Sequence, residues 1–452
     1  MYVYMKHKEK IVFPDNVGYV IDKLNEAGFE AYMVGGCVRD SLLERKPYDW
    51  DITTNALPDQ IKGIFQKTYD TGIRHGTISV SAGDRLIEVT TYRIDGEYSD
   101  NRRPDNVSFS SSLREDLARR DFTINALAYN PHKGLVDYFN GLEHLNSGEI
   151  KAVGDANLRF REDALRMLRA VRFSAQLGFK IEQATLGAIG HNCRLIANIS
   201  NERVRDELDK LLVSNNPKCF SLLYDTGLLK YIMPEFIPCY VTGQANPYHV
   251  YNVAEHIMHT VEYVENSSFL RWTMLLHDIG KPSKKTTDEK GVDHFYGHQE
   301  KSSEIAEAIL NRLRFDKDSI KKIIVLIKNH DIDIFDTPKS VRKIINKVGD
   351  ELFLELLKVK RADAMAQNRI YLDKRLIKMD NIKQIYYNIK KENQCISKAD
   401  MAVNGDDLIS LGMKPGAEMG KILDYLFQCV LDNPKLNKKE KLIALAKKYG
   451  NL

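Results

Sequence analysis

The sequence predicts an α+β fold: a head built on a small mixed β-sheet, then helices to the end of the chain. Three observations lead there. Short runs rich in β-branched and aromatic residues, bounded by Gly, Pro and Asp, cluster before residue 130. Beyond residue 151 the apolar residues recur at helical spacing instead. At 452 residues the chain is longer than one domain of ~100–200 residues. The expected parts are a head over residues 1–150, a helical neck over 151–215, a helical body over 216–395 and a helical tail over 396–452.

The first helix is expected over residues 13–28, where Val17, Val20, Ile21 and Leu24 repeat on one face. Residues 31–34 read as a strand, Gly35-Gly36 as the turn that ends it, and residues 37–43 as a helix. After Lys46-Pro47, residues 48–52 read as a second strand, so Asp49 and Asp51 project from one face. Two carboxylates that close repel unless a cation lies between them. Two divalent metals sharing such a pair activate an attacking hydroxyl and stabilise a leaving pyrophosphate. A Gly-Gly turn before a helix lets backbone N–H groups approach phosphate oxygens.

A helix over residues 57–65, capped near Asn55, comes next. Residues 77–81 and 86–92, split by Ala82-Gly83-Asp84, form a hairpin signal. Glu88 in its second strand is either a third metal-facing carboxylate or a paired surface glutamate. Residues 95–112 are polar and read as a long loop, a kind that is usually functional or disordered. Residues 113–129 are expected to be helical; within them Arg119 and Arg120 either neutralise phosphates or form an ion-pair cluster with Asp121.

One helix is expected over residues 160–177. Ala164, Leu168, Val171 and Ala175 form its apolar stripe, Arg166 and Arg169 lie opposite, and Asp163 and Arg172 flank it. Asp163 and Arg166, three apart, would be neighbours on a helix surface. Such a surface is either a solvated ion-pair face or a rigid template. A carboxylate accepts from an exocyclic amine, and a guanidinium donates to ring-nitrogen and carbonyl acceptors. Cytosine and adenine both place an amine beside an acceptor, so a fixed Asp–Arg face selects C and A with no nucleic-acid template.

From residue 246 a second chemistry begins. Residues 248–256 read as a helix carrying His249 and His256 two turns apart. His277-Asp278 ends an apolar helix; His294, His298, His330-Asp331 and Asp363 follow. Mixed imidazole and carboxylate ligands suit Mn, Fe, Ni, Zn or Mg. A helical spacer with vestigial histidines is the alternative. The tail ends in a Lys-rich helix, suited to phosphate contact or to a plain solvated face.

Composition narrows the class. The 66 basic and 62 acidic residues nearly cancel, so any basic surface must come from local clustering. Six cysteines without Cys-x-x-Cys spacing point to reduced thiols, not to a disulfide or zinc framework. No apolar run approaches the ~20 residues of a membrane span. A cytoplasmic protein with no membrane and no evident protein partner is expected.

Five ordered segments resemble one family. They are Val34-Gly35-Gly36-Cys37-Val38-Arg39-Asp40, Asp49-Trp50-Asp51, the run Arg119-Arg120-Asp121-Phe122-Thr123-Ile124-Asn125-Ala126, the run from Glu162-Asp163 to Arg172-Phe173, and Ile199-Ser200-Asn201-Glu202-Arg203. Over residues 20–215 the chain is similar to class II tRNA nucleotidyltransferases and bacterial poly(A) polymerases. The resemblance implies a polymerase-β-like head in which Asp49 and Asp51 bind the catalytic Mg²⁺, with Glu88 the third candidate for catalysis. It implies that Gly35, Gly36, Arg39 and Arg120 contact the nucleotide. Asp163 and Arg166 would read the base, and Arg169 and Arg172 would complete the pocket. The implied reaction is addition of CCA to the 3′ end of tRNA from CTP and ATP. Addition of A only, or of poly(A), is the alternative, and the loop at residues 95–105 disfavours CC-only addition. Residues 246–363 resemble the HD superfamily of metal-dependent phosphohydrolases. That resemblance implies His256, His277, Asp278 and Asp363 as core ligands of a further divalent metal, His298 and His330 as second-metal candidates, and His249 as a competitor for the first position. An HD phosphohydrolase with a nucleotide-binding head is the remaining alternative.

Overall fold

The computed structural model describes residues 11–96 and 107–450. Of the expected loop, residues 97–106 lie outside the described residues. The chain divides into two compact units, Met1–Pro234 and Glu235–Leu452.

The first unit opens with α1 (Asp15–Glu26), whose Val17, Val20, Ile21 and Leu24 are all buried. Then come β1 (Ala31–Val34), α2 (Gly36–Leu42), β2 (Asp51–Thr54), α3 (Pro58–Ile64), β3 (Thr68–Gly72), β4 (Thr77–Ala82) and β5 (Arg85–Thr91). A short ribbon follows, β6 (Arg93–Asp95) with β7 (Val107–Phe109), then α4 (Leu113–Ala118), β8 (Leu127–Asn130) and β9 (Gly134–Asp137). The main sheet has the order β3-β4-β5-β2-β1-β8-β9. It is mixed because β2 runs parallel to β5 while its other neighbour, β1, is antiparallel.

Side-chain alternation divides this sheet. Met33, Ile52, Ile78, Val80, Ile87 and Val89 join the core of α1 and α3. On the other face Tyr32, Val34 and Ala128 pack with Leu113 and Leu117 of α4. That second face also carries Asp51, because the residue after it, Ile52, points into the α1 core. The β4–β5 turn is two residues long, with Gly83 at φ +64°, which glycine tolerates.

Four local expectations change. The residues 48–50 precede β2, which begins at Asp51. Asn55 does not cap α3: its Oδ1 accepts from the Glu30 amide, and Gln60 Oε1 accepts from the Leu57 amide at the helix start. The helix expected to Tyr129 stops at Ala118. Asp121 Oδ1 accepts from the Phe122 amide and from Asn125 Nδ2, and the chain turns into strand β8. The helix expected over residues 160–177 is two helices. After α5 (Gly141–Ser147), α6 (Ala156–Glu162) ends at Asp163, which is extended at φ −134° and ψ 102°, and α7 (Leu165–Leu177) follows. Asp163 Oδ1 accepts from the Leu165 amide, the local bond that favours such a break.

α8 (Gln183–Asn192) and α9 (Asn201–Leu212) complete the neck-like part. Residues 216–234, expected with the body, belong to the first unit, where Phe220, Leu223, Leu228 and Leu229 are buried.

The second unit is helical apart from a two-stranded ribbon. The helix expected at residues 248–256 begins only at Val253, because Asn252 and Glu255 form a reciprocal capping box. His249 therefore precedes that helix. The tail packs Val403, Leu408, Leu426, Phe427, Val430 and Leu442 into a cluster of its own. All six cysteines are free thiols. Among the described residues no helix is long and apolar enough to cross a membrane.

Candidate active site and metal centre

Register brings the acids of the first unit together. Asp51 pairs with Glu88 across the parallel β2–β5 ladder, and Glu88 pairs with Ser79 across β4–β5. Asp49, Asp51 and Glu88 line one cleft of about 830 Å³. The cleft withdraws water from Asp51 and raises its pKa; Arg120 opposes this, and Glu88 and Asp49 add repulsion. An all-oxygen donor set under mutual repulsion fits a hard divalent cation.

Gly35 ends β1 at φ +76° and ψ −130°, a conformation open to glycine and costly for other residues. A Cβ there would lie 2.9 Å from Arg120 Nη1. The Arg120 guanidinium thus lies against the Gly35 backbone, steadied by Asp116 at 3.4 Å, with its Nε lacking a hydrogen-bond partner.

Behind this turn stands an arginine network. Arg39 donates to Asp40 and, through Nη1, to Asn125 Oδ1 at 2.7 Å. Asn125 Nδ2 donates to Asp121, and Arg169 binds Asp121 Oδ2 through both Nε and Nη2. Burial works to raise the Asp121 pKa, but Arg169 and Asn125 outweigh it and hold the carboxyl far below its usual range. Arg172 pairs with Glu207 at 2.8 Å; burial lowers its pKa to about 10. Three guanidinium groups, those of Arg39, Arg169 and Arg172, surround the Phe173 ring at 4.9, 5.3 and 4.1 Å from its centroid. Each of the three cations has its own carboxylate, Asp40 for Arg39, Asp121 for Arg169 and Glu207 for Arg172, so the cluster is a paired network held rigid around the ring.

The side chains of Asp163 and Arg166 do not pair; the bond between the two residues is the Arg166 amide to the Asp163 carbonyl at 3.0 Å. Asp163 Oδ2 accepts from Arg203 Nη2 at 3.0 Å. Arg166 does not stand on an open helix face: it is only 8% exposed, bonded to Glu162 and to the carbonyls of Arg159 and Arg119. The sequence assigns no role to Asp116, Asn125, Glu162, Arg203 or Glu207, while Asp121, expected in an ion-pair or phosphate cluster with Arg119 and Arg120, pairs instead with Arg169. Asp121, Asn125, Glu162 and Arg203 stand inside the quoted segments, which was the available signal; Asp116 and Glu207 carried none.

In the second unit four helices converge on Asp278. His256 lies on the helix Val253–Tyr263, His277 caps Ser268–Leu276, His298 opens His298–Arg312 and His330 caps Lys317–Asn329. Asp278 Oδ2 is 3.3 Å from His256 Nε2 and 3.2 Å from His277 Nε2; its Oδ1 is 3.3 Å from His298 Nε2 and 3.5 Å from His330 Nε2. Asp363 Oδ1 is 3.0 Å from His256 Nε2. The two clusters, His256–His277–Asp278 and Asp278–His298–His330, share Asp278. His249 meets His256 edge to face, centroids 5.0 Å apart, and belongs to neither cluster.

The ring protons decide what these atoms are. The Nδ1 atoms of His256, His277, His298 and His330 each meet a backbone carbonyl, of Ala366, Met274, Phe295 and Ile327. A carbonyl only accepts, so each Nδ1 holds a proton and Nε2 is the ring atom turned inward, the one whose lone pair a metal would take. Those lone pairs face carboxylate oxygens, also acceptors. His256 Nε2, His277 Nε2 and Asp278 Oδ1 have no hydrogen-bond partner. The donor present is Lys281 Nζ, 2.6 Å from Asp278 Oδ2. Buried acceptors turned on one another fit divalent cations.

Gly280 holds this arrangement tight. A Cβ there would lie 2.5 Å from the Ser302 amide nitrogen and 2.8 Å from the His298 carbonyl oxygen. Gly280→Ala is expected to force the backbones apart and cost about 1–3 kcal/mol in chemical denaturation. A parental midpoint and slope would refute the close fit.

The chain is similar to known proteins along its length. Residues 31–151 match the family described as the poly A polymerase head domain. Residues 178–239 match an RNA and SrmB binding site of polymerase A, and residues 286–446 match tRNA nucleotidyltransferase domain 2. The CCA-adding enzyme of Lactobacillus helveticus is 36% identical over 418 residues, 92% of each chain. That of Ligilactobacillus salivarius is 37% identical over 434 residues, 95% of each chain. The crystal structure of the Bacillus stearothermophilus CCA-adding enzyme in complex with CTP superposes with a TM-score of 0.73 at 29% identity, covering 97% of this chain and 98% of that one.

Proposed function

Since this chain belongs to the CCA-adding enzyme family of tRNA nucleotidyltransferases, we propose that it adds C, C and A in turn to the 3′ end of tRNA from CTP and ATP, releasing pyrophosphate without a nucleic-acid template. The observation that carries the reading is the row of Asp49, Asp51 and Glu88 beside the Gly35–Arg120 turn. Asp49 and Asp51, with Glu88, would hold Mg²⁺, which supplies charge neutralisation at the reacting phosphate. The RNA 3′-oxygen attacks the α-phosphorus and pyrophosphate departs in line with it. Gly35 and Gly36 let backbone come close to the phosphates. Arg120, Arg39, Arg169 and Arg172 neutralise the triphosphate and the departing group.

Asp163 and Arg166 read the base. Each keeps capacity for this despite its present bonds. A carboxylate oxygen accepts more than one hydrogen bond, and a guanidinium has five N–H donors, of which Arg166 uses three on Glu162, Arg159 and Arg119. Arg203 and Glu162 hold the two side chains rigid. Where tRNA, CTP and ATP meet is the cytoplasm, the compartment we assign.

A second activity rests on the orphaned Nε2 atoms. His256, His277, Asp278 and Asp363, with His298 and His330, would hold a divalent metal pair for hydrolysis of a phosphate ester; His249 stands at the rim.

The test incubates the protein with tRNA lacking three, two or one terminal nucleotides, each labelled nucleotide and Mg²⁺. Growth that stops at CCA is expected. Unbounded A addition would indicate a poly(A) polymerase, extension only of tRNA ending in CC an A-adding enzyme, and no growth would overturn the reading.

A further inference from the structure

The nucleotide anchors all lie on one side of Asp51. Gly35 ends β1, and Arg120 and Asn125 lie just before β8, next in the sheet beyond β1. The other neighbour of β2 is β5, with Glu88 in register with Asp51. In-line displacement places attacker and leaving group on opposite sides of phosphorus. With the triphosphate on the β1 side, the attacking RNA end must arrive over β5.

The connection between α2 and β2, with the start of β5, carries groups suited to it. Tyr48, one residue before Asp49, is 95% exposed, although it lines the same cleft as the three acids. Arg85, at the start of β5, lines this cleft and also a neighbouring one of about 860 Å³. The neighbouring cleft adds Lys46 and Arg45, whose Nη1 donates to the Gln176 carbonyl at the end of α7. Arg85 makes no ion pair among the described residues, though three carboxylates stand in its cleft. A strip of cations thus leads away from the reactive acids, with an aromatic face at its head. Single-stranded RNA is held by this combination: cations track the phosphates and aromatic rings stack on bases.

We propose that this strip seats the 3′-terminal nucleotides of the RNA primer, with Tyr48 stacking on a terminal base and Arg85 on the phosphate behind it, Arg45 and Lys46 continuing the track. The proposal rests on the tRNA-extending reading above. It assigns Tyr48 and Arg85 as primer-positioning residues, separate from the groups that bind the incoming nucleotide.

Steady-state extension of tRNA lacking its terminal CCA, by the full chain with CTP, tests it. Tyr48→Ala is expected to raise KM for tRNA about tenfold, the scale of one base–aromatic stack. KM for CTP should remain within about twofold of the parent, and Tyr48→Phe should restore the tRNA value, as stacking needs the ring and not the hydroxyl. Arg85→Ala should also raise KM for tRNA and reduce the salt dependence of tRNA binding by about one phosphate contact. Arg85→Lys should recover the salt slope. A rise in KM for CTP matching that for tRNA would overturn the assignment, since the strip would then serve the nucleotide. Parental KM for tRNA in both alanine variants would also overturn it. Failure of the parent chain to extend tRNA would instead defeat the underlying reading, and this proposal with it.

Discussion

Asp51→Ala abolishes incorporation of labelled CMP and AMP into tRNA, by about 10³-fold or more, while leaving the fold intact. Asp51 stands at the centre of the acid row, between Asp49 and Glu88, and opens the strand that sets their register. Without its carboxylate the cleft loses the group on which Glu88 and Asp49 both act, and with it the site for a hard cation. The side chain carries a raised pKa because desolvation in the cleft and repulsion from Glu88 and Asp49 oppose its charge. Removing it therefore relieves repulsion, and thermal unfolding should stay within about 0.5 kcal/mol of the parent. The raised pKa gives a sign for pH: transfer should fall as pH drops through that value, where Asp51 takes up a proton and releases its cation. Transfer above a tenth of the parental rate in Asp51→Ala would remove this residue from the centre of the chemistry.

Asp278→Asn empties the second site, and Asp278→Ala destabilises the protein as well. Four imidazole nitrogens and Lys281 Nζ converge on this one carboxylate, and both clusters need it. The parent chain, after dialysis, should retain about two divalent ions per chain by elemental mass spectrometry. Asp278→Asn should retain less than one. Asp278→Ala leaves the Lys281 charge buried without its partner and should cost about 3–5 kcal/mol. A parent that holds no metal above background would defeat the metal reading. So would an Asn variant with parental occupancy.

Much of this could be read from local pattern. The alternation that puts Asp51 on one face and Ile52 on the other is a property of any extended chain. The repeat of Val17, Val20, Ile21 and Leu24 required a helix with one buried face. Other readings failed where a single polar side chain competed with helix formation. Asp163 bonds the Leu165 amide and splits one expected helix into two. Asp121 bonds the Phe122 amide and helps turn another into a strand. Asn252 and Glu255 cap their helix and leave His249 before it. Each is a bond within three residues, where helix propensity and side-chain capping differ by only ~1 kcal/mol.

What the sequence determined by itself was the inventory: an α+β chain, a Gly-Gly turn before a helix, a pair of acids at the start of a strand, and histidines and aspartates on the helices of the second unit. The tertiary structure decided the partners. It set Glu88 beside Asp51, Asn125 on Arg39 across 86 positions, Arg203 on Asp163 across 40, and four imidazoles around Asp278. The division has one physical cause. Backbone periodicity and turn chemistry act over a few residues and are written locally. The pairing of charges depends on which faces dock, and docking is settled by burial of apolar surface summed over the whole unit.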